Sequence, residues 1–423
     1  IITMNILIVG NGFDLSHYLP TKYDHFMDVM KNIEDFTGSQ MAFDDLFRDC
    51  REPWFIAKTK EYYLTDDIRI ESNTIQKIKK LLNENGWYKY FKSHVEEIKT
   101  WIDFEQKINE MLAHFCVFQN KFGAILDRNL MIEHLRDTNN ERILKNLKEF
   151  DLIEITPTSY QMIIGKKKIT SSGSFPTIKP CFLYGQNMNN GFNPNSFSHH
   201  IYLCLETFIE IFNQYLEKIL NHLRPKNPFK ISSDSWCNPD KIFSFNYTNT
   251  YQKFYDKNIE IEYLHGKSSE NQNMVLGVSE LEDKFLKNLK AYGFTKYHQK
   301  LFKDTDYQFF SGNQYLKQTQ KFWDQVNNSN KVFTQADKDR FEANIFIWGH
   351  SLDISDENYM NEIFSYNHKY DEHVRVTIYY FNPSAKFELL ANLIHILGKD
   401  KVEQWMKNKW LKFEPNPKID FGI

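Results

Sequence analysis

The chain opens on a run of residues that allows few folds. Residues 5–9 (NILIV) are apolar without alternation and run straight into Gly10-Asn11-Gly12. A short continuous apolar run that ends in a glycine turn reads as a strand buried on both faces, as in a parallel sheet. After Pro20, residues 21–31 carry Tyr23, Phe26, Met27 and Met30 at helical spacing, with Thr21 placed as N-cap and Asp24 as a first-turn charge. Residues 40–235 read as mostly helical, with an amphipathic stripe through Leu205, Phe208, Ile209, Phe212, Leu216, Ile219 and Leu220. Residues 165–195, rich in Lys, Ser, Gly and Asn, read as an exposed loop or hairpin. Inside it Lys166, Lys167 and Lys168 form a charge run, which is either solvated surface or a phosphate-contacting patch.

Strand signals return late, at residues 241–245, 259–264, 274–276, 344–348 and 374–381, with a polar, helix-prone stretch over 279–340. The expected fold is therefore α/β, a Rossmann-like parallel sheet built from residues 4–30 and 240–423. A mostly helical insertion lobe over 31–239 is expected between them. With 36 Phe and 23 Tyr, much of the core should be aromatic.

Composition excludes several classes. A net charge of −3 on 423 residues argues against a nucleic-acid binder that works through bulk charge, although local patches stay open. The five cysteines are scattered and include no C-x-x-C pair, so neither a disulfide framework nor a zinc site is expected, in keeping with a reducing cytoplasm. The apolar start lacks a basic region and is not read as a signal peptide. No apolar run reaches the roughly 18 residues of a membrane span.

Five turns fall at the ends of the expected strands. Gly10-Asn11-Gly12 could present backbone N–H groups to a pyrophosphate, though Leu15 stands where a third glycine would complete the motif. Asp14 follows, either as a first-turn charge or beside a ribose hydroxyl. Asn246 offers both a donor and an acceptor, and is equally a turn residue. His265, beside Gly266, can act as a base or hold a hydroxyl, and is equally a structural hydrogen-bonder. Gly349-His350-Ser351-Leu352-Asp353 resembles a nucleophile elbow but has Asp353 in place of the last glycine, so a nucleotide-holding loop is the better reading. Asn382 ends the last of these strands, next to Pro383, which a plain turn would also explain.

Taken together, GNGFDLSHYLPTKY (10–23), WIDFE (101–105), FSFNYTNTY (243–251), LHGK (264–267) and IWGHSLDISDENY (347–359) resemble the AbiH family of phage abortive-infection proteins. More distantly, the chain is similar to the sirtuin-type NAD-binding fold. Gly10, Gly12 and Leu19-Pro20 fit that fold's G-A-G and I-P-D spacing, and Phe245 to Thr248 fit its Q-N-I-D stretch. His265-Gly266 fits its H-G pair, Gly349 to Leu352 its G-T-S-L loop, and Asn382 its late strand-end Asn. Thr248, Asp14 and Thr21 depart from its pattern, and the zinc-binding cysteine pairs are missing, which argues against protein deacylation.

What the resemblance implies is an anti-phage protein that binds NAD, as substrate or ligand, and hydrolyses its nicotinamide–ribose bond without a metal. Asn246 would position water or the nicotinamide side, and His265 would hold the ribose hydroxyls and take a proton. Gly10, Asn11 and Gly12 would cradle the pyrophosphate, while Ser351 and Asn382 would hold the adenosine half. Asp14, Gly266, Gly349 and His350 would complete the binding set. The rival is a non-catalytic nucleotide sensor whose helical lobe recognises a phage-derived trigger. A nuclease ranks last, since no D-x-x-x-E-x-K pattern stands out. Oligomeric state is left open.

Overall fold

The computed structural model describes residues 4–98, 101–233, 236–305, 308–329, 332, 334, 342–367 and 373–422. Six strands form the central sheet: β1 (Met4–Val9), β2 (Lys241–Ser244), β3 (Ile261–Tyr263), β4 (Ala343–Trp348), β5 (Val374–Tyr380) and β6 (Leu411–Pro415). Every pairing is parallel, and the order is β3-β2-β1-β4-β5-β6. The predicted α/β architecture is present, and the sheet joins the N-terminal strand to the late ones. Growth of the sheet reverses between β1 and β4, and such a reversal opens a crevice at the carboxyl ends of the strands.

The unbroken apolar run of β1 follows from its central place. Ile6 and Ile8 pack with Phe243, Ile345, Ile347, Val376 and Ile378 on one face, while Leu7 and Val9 pack with Ile242, Phe346 and Trp348 on the other. At the reversal point two turns touch backbone to backbone. The Gly10 N–H donates to Trp348 O (3.1 Å) and the Gly12 N–H to Gly349 O (2.9 Å). A Cβ on Gly12 would lie 2.7 Å from Gly349 Cα, and one on Gly349, whose φ is +74°, would lie 2.1 Å from Phe13 N. Only glycine permits this approach.

Between β1 and β2 the chain builds mainly helices, including Tyr23–Asp35, Trp101–Phe122 and Pro194–Lys218. Their core is aromatic, with Phe26, Trp87, Phe91, Phe104 and Phe208 fully buried together. No described helix is long and apolar enough to cross a membrane.

Several local expectations change. Residues 274–276 are buried but are not a strand. Gln299 takes the place of a strand partner, its Oε1 accepting from Leu276 N (3.0 Å) and its Nε2 donating to Leu276 O (2.9 Å). Thr21 does not cap the helix Tyr23–Asp35, whose N-cap position is Lys22, and the Thr21 hydroxyl points to Leu19 O (3.5 Å). Of the stretch 165–195, read as a loop or hairpin, residues 165–178 form the tip and second strand of a long hairpin, Ile153–Ile164 paired with Lys167–Ile178, and the remainder runs through short 3-10 turns. β6 was not anticipated.

Gly349→Ala is expected to lower unfolding stability by at least about 2 kcal/mol. The left-handed backbone alone costs roughly 1–2 kcal/mol for an L-residue, and the methyl also meets the Phe13 backbone. A fall in the urea midpoint at unchanged slope would register it. An unchanged midpoint would mean that the two turns separate at no cost.

Candidate functional site

The carboxyl ends of β2, β3 and β4 bring an aromatic ring, two imidazoles and a carboxylate together. Phe245, just past β2, lies 5.2 Å from the His265 ring, 4.1 Å from that of His350 and 5.0 Å from that of Tyr359, centroid to centroid. Asp356, in the turn after β4, sits between the two histidines. Its Oδ1 is 3.5 Å from His265 Nε2 and its Oδ2 is 3.4 Å from His350 Nε2. His350 Nδ1 accepts the Leu352 N–H at 3.0 Å, so its Nε2 carries the proton and can donate to Asp356.

Two lysines enter from the helix Lys296–Phe302. Lys296 Nζ is 2.7 Å from Glu105 Oε1 and 3.9 Å from Asp356 Oδ1. Lys300 Nζ bonds the Tyr359 hydroxyl. Glu105 is delivered by the helix Trp101–Phe122. There Phe104 stacks on Phe91 (3.9 Å) and Phe208 (5.3 Å) in the aromatic core, and the next residue meets Lys296. Packing of the helical core therefore sets the position of a charged site residue.

Burial acts on all these groups, and their partners decide the outcome. Burial, with help from the Lys300 and Lys296 charges, pushes His265 down to about 3, so it is neutral at pH 7. Burial would raise Asp356, but the Lys296 charge and the two facing imidazoles outweigh it and hold the carboxylate well below its usual range. Burial pushes Glu105 up to about 7, against the pull of Lys296 and with the repulsion of Asp356. Two carboxyl groups around one ammonium are thus driven in opposite directions. His265 Nε2 and Asp356 Oδ1 are buried without a hydrogen-bond partner among the described residues. They face each other at 3.5 Å, and unmet polar groups of this kind are uncommon in native interiors. Among the described residues, no group of three or more His, Cys, Asp or Glu side chains is placed to hold a metal ion.

Asp14 and Asn246 make their hydrogen bonds to the neighbouring turns rather than to these groups. Asp14 is buried, accepting from the hydroxyls of Thr248 and Thr250 at 2.6 Å each. It tethers the turn after β1 to the loop after β2 and makes no capping hydrogen bond. Asn246 Nδ2 donates to Gly10 O at 2.9 Å, a second tie between the same turns. Gly266, at φ +76°, packs against Asn273, where a Cβ would lie 2.0 Å from the carbonyl oxygen. Asn11 is partly exposed. Ser351 is exposed, and its carbonyl accepts from Asn392. Asn382 is exposed and caps the helix Pro383–Leu397, its Oδ1 accepting from Ala385 N at 2.8 Å. The structure thus brings His265 and His350 together, ties Asp14 and Asn246 to the turns after β1 and β2, and leaves Ser351 and Asn382 exposed.

Sequence reasoning did not single out Glu105, Asp356 or Lys296. Glu105 and Asp356 stood within WIDFE and IWGHSLDISDENY, so the signal was there; Lys296 carried none. The family model described as bacteriophage abortive infection AbiH matches residues 6–380. This chain belongs to the AbiH family. No curated protein and no solved structure matches it. The AbiH match takes in Glu105, Asn246, His265, His350 and Asp356, and stops short of Asn382 and β6. Membership implies a role in abortive infection by bacteriophage.

Burial raises the Asp14 carboxyl from 3.8 to about 6 despite the two threonine donors. A raised carboxyl contributes stability that is full below pH 3.8 and is lost as pH climbs through about 6. Wild-type protein is therefore expected to lose about 2 kcal/mol relative to Asp14→Asn between about pH 4 and 7. Parallel pH profiles from urea titrations would contradict this.

Proposed function

We propose that this AbiH protein is an abortive-infection effector that binds NAD or a close relative at the carboxyl edge of its sheet. It would hydrolyse the nicotinamide–ribose bond there. The observation that carries the reading is the buried His265–Asp356–His350 cluster, bridged by Lys296 to Glu105, at the strand ends beside the β1/β4 reversal. Open parallel sheets bind their ligands at that edge.

The reaction divides naturally among these groups. As the C–N bond breaks, nicotinamide leaves with the bonding pair as a neutral molecule and needs no proton. Positive charge develops on the ribose, and an ionised carboxylate beside it stabilises that charge. Asp356, held ionised, is suited to this. The attacking oxygen forms the new C–O bond and must lose a proton. A carboxylate that titrates near 7 is a well-matched base, whereas an imidazole near 3 is a poor one. We therefore assign the proton to Glu105 rather than His265. Neutral His265 would hold a ribose hydroxyl, and His350 would orient Asp356. Asn246, bonded to Gly10, would position the turn that faces the pyrophosphate.

A second reading has an observation of its own. The Gly12 N–H is already taken by Gly349 O, and the two turns are in backbone contact. A pyrophosphate could use that N–H only after the turns part. This favours a nucleotide sensor, in which ligand entry moves the loop that carries His350.

Purified protein incubated with NAD separates the readings by release of nicotinamide and ADP-ribose. His265→Ala and Asp356→Asn are each expected to lower the rate about a hundredfold or more, and to abolish phage protection, with the fold intact by circular dichroism. The wild-type rate is expected to rise as pH passes through about 7, where Glu105 loses its proton, and Glu105→Gln should flatten that rise. Saturable NAD binding by calorimetry with no product would sink the enzyme and support the sensor. No binding at all would sink both.

A further inference from the structure

The long hairpin belongs neither to the central sheet nor to the site. Its strands pair without a break from Ile153 and Ile178 at the base to Ile164 and Lys167 at the tip, closed by Gly165 and Lys166. At about 3.3 Å per residue the ribbon is roughly 40 Å long. Its middle is gripped by the helix Arg128–Arg136. Arg136 lies over the rings of Tyr160 (5.2 Å) and Phe175 (5.1 Å), Arg128 bonds the Thr158 hydroxyl, and Asn129 Oδ1 accepts the Gln161 N–H (3.0 Å). Beyond that grip the tip is exposed, including Ile163 (72%), Ile164 (59%), Ile169 and all three lysines, Lys166, Lys167 and Lys168.

We propose that this hairpin is an arm that binds duplex nucleic acid through its lysine tip. The charge pattern points to an anionic partner: no Asp or Glu occurs between Glu154 and Glu206, so a chain of net charge −3 carries a locally cationic arm. One face of the ribbon presents Ser159, Gln161, Thr170 and Ser172 to solvent, side chains that donate to phosphate and groove edges. Two-stranded ribbons fit into duplex grooves, and Ile side chains at such tips wedge between base steps.

An anionic bilayer would also attract lysines. However, among the described residues the ribbon pairs with no further strand, so the backbone groups along its outer edges have no ladder partners there. Each such group sunk into hydrocarbon costs several kcal/mol, which excludes burial of the arm in lipid. A hydrated groove imposes no such cost.

The test is fluorescence anisotropy of the full chain with labelled DNA and RNA duplexes of about 20 base pairs. Three phosphate contacts predict a slope of log affinity against log salt of about −2.7, hence a loss of roughly 40-fold between about 50 and 200 mM salt. Lys166→Glu, Lys167→Glu and Lys168→Glu together are expected to remove binding. Ile163→Ser with Ile164→Ser should weaken it several-fold at unchanged slope. Binding to either duplex with this behaviour supports the arm. The proposal is overturned if neither duplex binds, if affinity is independent of salt, if the triple charge reversal binds as wild type, or if only phosphatidylserine vesicles are bound. These readouts are independent of NAD turnover, so the arm and the enzyme can fail separately.

Discussion

Contact between the Gly10–Gly12 turn and Gly349 is the constraint on which the rest of the molecule depends. β1 and β4 are the two strands at which the halves of the sheet meet, and their turns touch through backbone alone. The same contact fixes the direction in which the chain leaves β4. It therefore fixes where His350 and, six residues on, Asp356 come to lie. Asn246 and Asp14 brace the turn after β1 from the other side, through Gly10 O and the hydroxyls of Thr248 and Thr250. A side chain at any of the three glycines would push apart both the sheet halves and the site.

Much of this was legible in the sequence, for identifiable reasons. β1, β4 and β5 lie in the middle of the sheet, so burial on both faces imposed continuous apolar runs that can be read without a partner. β6 is an edge strand. Only Leu411 of its five residues is buried, Lys412 and Glu414 form an ion pair along it, and it ends in a proline. Its pattern therefore carries no strand signal. Residues 274–276 misled for the opposite reason. They are as apolar as a strand, but side chains such as Gln299 on Leu276, Gln272 and Lys303 on Met274 and Tyr247 on Val275 take up their backbone groups, and no periodicity in sequence encodes that substitution. The site was legible where a strand end supplied the residue, as with His265 and His350. It was illegible where a group came from a distant helix. Lys296 reads as one more charge on a polar segment until folding places it between two carboxyl groups.

The energetics of the cluster argue that it is kept for chemistry rather than stability. Burying an ion costs several kcal/mol even after relaxation, and a buried ion pair is often no better than a well-packed apolar replacement. Lys296 and Asp356 are buried and Glu105 largely so, and His265 Nε2 and Asp356 Oδ1 add unmet hydrogen-bonding capacity on top of that cost. A core selected for stability alone would hold apolar side chains here, as the neighbouring Leu264, Leu352 and Met360 do.

The origin of Glu105 ties the helical lobe to the chemistry. The lobe is held by aromatic packing, which is short-ranged: a gap of 0.5–1 Å already forfeits a quarter to a half of a dispersion contact. Phe104 is locked between Phe91 and Phe208, so the helix Trp101–Phe122 has one well-packed position and no continuum of nearby ones. Glu105 rides on that position and meets Lys296 at 2.7 Å. Displacing the helix would strip Lys296 of one counter-charge and leave it Asp356, 3.9 Å away, with Asp353 acting from farther off. The ionisation of all three groups would then reset together, because each is held by the other two. Whatever acts on the lobe acts on the proton affinity of the site through this one helix, and the aromatic core makes that action stepwise rather than graded.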